Sequence, residues 1–76
     1  MNNTRRNSIS LMVSRIESIK AEVESILGEE QEYLDNMPEN LQDSARADIA
    51  QDAIDNLEAA VENLEEAIDN LNEAAV

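Results

Sequence analysis

Carboxylates are the only groups this 76-residue chain offers in quantity for chemistry. It holds 18 Asp and Glu against 5 Lys and Arg, a formal net charge of −13, with no His, Cys, Trp or Phe. Without imidazole or thiolate there is no His or Cys metal site, no Cys or His nucleophile and no disulfide framework. One Gly leaves no phosphate-cradling loop, and the single aromatic, Tyr33, leaves no base-stacking platform. Catalysis would therefore fall to carboxylates holding Mg²⁺ beside a phosphorylated substrate, and Glu65-Glu66-Ala67-Ile68-Asp69 has an EExxD spacing that suits a helix. Such a site needs acids converging in a pocket and cations to receive the phosphates, yet no Lys or Arg follows Arg46. The motif reads as a solvated helix face. The expectation is a protein that is not an enzyme, with no metal and no cofactor.

The acids have a second use. Asp48, Asp52, Asp55, Glu58, Glu62, Glu65, Glu66, Asp69 and Glu73 recur along the C-terminal half, where residues 47–76 contain no base. One reading is solubility and self-repulsion. The sharper one is a partner-binding face in which ordered carboxylates stand in for phosphates before a basic cleft. B-DNA carries one charge per ~1.7 Å of axis, denser than these nine acids, although a dimer would double the density on a shared face. The same charge disfavours nucleic acid or an anionic membrane as a direct partner.

Heptads position these side chains. In the N-terminal half apolar residues recur at Ile9, Met12, Ile16, Ile19, Val23 and Ile26, then at Tyr33 and Met37. With Ile9 at a and Met12 at d, positions e are Val13, Lys20, Leu27 and Leu34, so the stripe is wider than a two-stranded seam. Ser8 or Asn7 is a candidate cap for the start, and Gly28 falls at the outward f position. Residues 53–73 repeat at seven as AIDNLEA, AVENLEE and AIDNLNE. Ala53, Ala60 and Ala67 occupy g, Ile54, Val61 and Ile68 occupy a, and Leu57, Leu64 and Leu71 occupy d. Asn56, Asn63 and Asn70 occupy c, while Asp55, Glu62 and Asp69 occupy b. The small g residues would admit a close neighbour, with the larger e residues of the first helix filling that side.

Between the two patterns, Pro38 biases Met37 away from helix and opens a turn over residues 37–43. Leu41 would tuck over the core, with Asp43 or Ser44 capping the second helix. Tyr33, Leu34, Met37 and Leu41 then cluster at the turn, either capping the core or, if exposed, forming an apolar patch for a partner. Glu30 is the one charge at an a position. It pairs with Arg46 beside the turn, or it locks the register at a cost in stability.

These readings give an all-α chain, one domain over 1–76. Residues 1–7 are expected to form a flexible N-terminus, followed by two long helices at about 8–36 and 44–75 in an antiparallel hairpin. Residues 1–20 hold four bases and one acid, which favours the antiparallel sense against the acidic second helix. A core this small seldom supplies more than ~3–5 kcal/mol, so two hairpins are expected to associate as a homodimeric four-helix bundle. Arg5 and Arg6 precede no uninterrupted apolar run, and no segment reaches the ~20 apolar residues of a membrane span, so a cytoplasmic location is expected.

The turn Glu29-Glu30-Gln31-Glu32-Tyr33-Leu34-Asp35-Asn36-Met37-Pro38-Glu39-Asn40-Leu41-Gln42, followed by the acidic repeats, resembles small acidic proteins encoded by tailed phages and prophages. The likeness covers about residues 16–73. It implies an accessory protein with no catalytic residues to carry over. Such a protein would bind a host protein, sometimes one of an antiviral defence system; the acidic face would suit one with a basic nucleic-acid-binding surface. A structural or assembly helper in virion morphogenesis is the alternative.

Overall fold

The computed structural model describes residues 1–41 and 44–76. Helix α1 spans Asn3–Asp35, a single 3₁₀ turn follows at Glu39–Leu41, and helix α2 spans Ala45–Ala74. The two helices run antiparallel as a hairpin, a rod 59 Å long and 14 by 12 Å across its Cα atoms. Its radius of gyration is 17.3 Å, where a compact chain of this length has about 11 Å.

Local chemistry accounts for each helix end. The Asn2 side chain accepts from the Arg5 amide at 2.8 Å, so α1 begins at Asn3, and residues 3–7, read above as a flexible N-terminus, form its first turns. Neither Asn7 nor Ser8 is the cap: the Ser8 hydroxyl instead donates back to the Thr4 carbonyl at 3.1 Å. The apolar pattern starts only at Ile9, which is why periodicity placed the boundary too late. At the other end the Asn36 amide donates to the Glu32 carbonyl at 3.0 Å and the Met37 amide to the Leu34 carbonyl at 3.2 Å. Ser44 caps α2 by accepting from the Ala47 amide at 3.4 Å, while its hydroxyl donates to the Leu41 carbonyl. Asp43, the other candidate cap, lies outside the described residues, as does the end of the expected 37–43 turn.

The hairpin has one seam. Ile9 and Val13 pack on Ile68, with Ile16, Leu71 and Ala75 against them. Ala47, Ala50 and Ile54 are buried near the turn, together with Met37. Among the described residues only Ala50, at 1% exposure, is fully buried, and no large side chain is. Arg6 Nε donates to the Ala75 carbonyl at 3.2 Å, bringing a cation to the negative end of α2 and closing the far end of the hairpin.

Gly28 is helical, and a Cβ built on it meets nothing within 4 Å. Gly28→Ala should therefore stabilise the protein by about 0.5–1 kcal/mol, read as a raised denaturation midpoint with unchanged m-value.

Candidate functional site

The seam divides the heptad rows unequally. Within the hairpin α1 uses its a and e rows: Ile9 and Val13 are buried, and Ile16, Val23, Leu27 and Leu34 are half-buried. Its d row, which the expected bundle would bury, is not covered within the hairpin. Met12, Ile19, Ile26 and Tyr33 are 40%, 49%, 52% and 49% exposed. On α2, Ile54 and Ile68 are buried, while Leu57, Val61, Leu64 and Leu71 are half-buried, as are Ala53, Ala60 and Ala67. The stripe on α1 spans more of the circumference than one neighbouring helix covers, so a row is left over.

Two grooves show which rows share a side. One, of about 450 Å³ at the turn, is lined by Tyr33, Glu29 and Arg46 among others, bringing d and g of α1 together with g of α2. The other is lined by Gln31 and Leu34 with Gln51, Ile54 and Glu58, bringing b and e of α1 together with e and a of α2. The bulky d row of α1 and the alanine g row of α2 therefore lie on one side of the hairpin. The e residues of α1 lie in the seam towards its opposite edge, beside Gln51 and Glu58, so they do not fill the alanine row as expected.

That opposite side is acidic. Lys20 Nζ lies 3.1 Å from Glu65 Oε1, the single ion pair among the described residues. The hydrogen bond to Glu65 lifts Lys20 above the ordinary lysine value of 10.5; desolvation opposes it, while the charges of Glu65, Glu24 and Glu17 add to it. With the folded value raised, the pair contributes in full below the ordinary lysine range and fades as pH rises beyond it. Neutral pH leaves it intact. All nine acids of the candidate face, Asp48, Asp52, Asp55, Glu58, Glu62, Glu65, Glu66, Asp69 and Glu73, are exposed. Asp55 accepts from Gln51 Nε2 at 2.9 Å. Glu65, Glu66 and Asp69 remain on the surface, and no group of three acids that could hold a metal occurs among the described residues.

At the turn, Met37 is buried, Leu34 and Leu41 are half-buried, and Tyr33 is half-exposed along the groove. The cluster thus divides into a cap over the seam and an exposed edge. Glu30 is half-buried and makes no ion pair with Arg46, which lines the groove with Glu29 and Glu32 instead. Among the described residues no helix is long and apolar enough to cross a membrane. Compared with protein families, curated proteins and solved structures, the chain matches none.

Glu30 brings a carboxylate into an apolar row with no base to pair it. Glu30→Ile should raise the thermal midpoint by ~4–8 °C, equivalent to about 1 kcal/mol. A lower midpoint in calorimetry would mean that the carboxylate supports the seam rather than interrupting it.

Proposed function

We propose that this chain is a non-enzymatic, self-associating protein of phage type that acts in a bacterial cytoplasm by binding a host protein stoichiometrically. Its acidic α2 face would occupy the basic nucleic-acid-binding surface of an antiviral defence factor. The observation that carries this reading is the disposition of charge. Nine acids are exposed along α2, and only Glu65 has an ion-pair partner among the described residues. Acids placed for stability would be paired or would offset the helix dipole in its first turn, where α2 has Asp48 alone. An uncompensated row steers a basic partner and raises its association rate. The likeness of the turn and repeats to small acidic phage proteins supports the setting.

Affinity capture of basic proteins from bacterial lysate, followed by competition with duplex DNA for the captured protein, tests the reading. Replacing Asp55, Glu62, Glu66 and Asp69 with Lys should weaken binding tenfold or more, leave helix content unchanged and flatten the salt dependence. Capture that persists unchanged in the charge-reversed protein would remove the acidic face from the function.

A further inference from the structure

We propose that a second copy of this chain occupies the apolar side, related by a two-fold axis parallel to the helices, so that α1 of each copy lies along α2 of the other. This rests on the self-association reading and adds the arrangement that satisfies it.

Area supports a second copy. The hairpin exposes 5565 Å², about 950 Å² more than the ~4,600 Å² of a compact monomer of 8.4 kDa. A standard interface removes ~800 Å² from each partner, so one further contact of ordinary size brings this chain to normal compactness.

Shape then selects the arrangement. An interface with two-fold symmetry must complement itself, and this side carries a bulky row beside a small one. Lys20 against Glu65 sets the register within the hairpin. On it Ile19, Ile26 and Tyr33 fall within one residue of level with Ala67, Ala60 and Ala53. A rotation about an axis parallel to the helices preserves height, so each bulky residue meets an alanine: Ile19 the partner's Ala67, Ile26 the partner's Ala60. A two-fold axis perpendicular to the helices would instead set bulky row on bulky row and alanine on alanine.

Charge makes the same selection. On α2 the acids keep to positions b, e and f, and the c row bordering the apolar side carries Asn56, Asn63 and Asn70. These amides stand level with Arg15, Glu22 and Glu29, the g row that borders the same side of α1. In the proposed dimer the two rims meet, amide against Arg or Glu, and no acid of one α2 faces an acid of the other. The perpendicular axis would bring the two α2 helices side by side, nine acids each.

Sedimentation equilibrium and disulfide trapping together test this. The chain has no Cys, so each introduced thiol is unique. Wild-type protein should sediment as a dimer; a monomer would overturn both self-association and this arrangement. Ile19→Cys and Ala67→Cys chains, mixed, exchanged by warming and oxidised, should cross-link up to the half of dimers that are mixed, with little product from either alone. A mixture of Ile19→Cys with Ala53→Cys, displaced by about 21 Å along the helix, should not cross-link. The pair Ile26→Cys and Ala60→Cys repeats the test at another level, should either first variant fail to fold. A sedimenting dimer in which Ile19→Cys cross-links with itself, or in which Ala53→Cys traps as well as Ala67→Cys, would overturn the arrangement and leave self-association standing.

Discussion

Two helices can share only one seam, and everything else about this molecule follows from that limit. A helix laid against a single neighbour buries one narrow strip, here the a and e rows of α1 against the a and d rows of α2. The apolar stripe on α1 is wider than that strip. Apart from Leu11, the surplus on α1 is an intact row at seven-residue spacing, Met12, Ile19, Ile26 and Tyr33, each 40% or more exposed. An isolated exposed Ile needs no explanation, but a periodic row on one side of a rod does.

Polar contacts fasten the ends of the rod. Asn2 and Ser44 supply the acceptors that the first amides of each helix lack, and Arg6 spans from one terminus to the Ala75 carbonyl near the other. Such contacts are each worth about 1 kcal/mol, small beside burial but sufficient to decide where the helices begin. They also align the hairpin so that Lys20 meets Glu65. That alignment places α1's basic start beside α2's acidic end and reduces the repulsion that a net charge of −13 imposes on a compact state.

The heptads made the two helices, their antiparallel sense and their approximate ends legible in the sequence, because period, Pro38 and charge asymmetry all agreed. The start of α1 was not legible, since Asn2 acts through hydrogen bonding and precedes the apolar pattern. The division of the stripe was also hidden: periodicity reports that a, d and e are apolar but not which of them a neighbour covers. The Asn row at c carried information that only the hairpin's handed geometry could release. Once α1 and α2 run in opposite directions, c of α2 and g of α1 become the borders of one side. A functional partner left no comparable trace, because an exposed acidic row fits any basic surface of suitable length.

The arrangement inferred for the dimer changes what the acidic face can be. Were the two α2 helices adjacent, their acids would merge into one denser surface, closer to the charge spacing of a nucleic acid. With α1 of each copy between them, the α2 helices stand at diagonal corners of the bundle and their acids point to opposite sides. Each face then keeps the charge density of a single helix. Affinity would be gained by presenting two such faces on one rigid rod, through effective concentration rather than local field. A partner with two basic sites, or a symmetric basic dimer, can engage both faces at once, and a monomer with one cleft cannot. In that arrangement the amide rim would let the copies approach, and it would favour binding by repetition over mimicry by density.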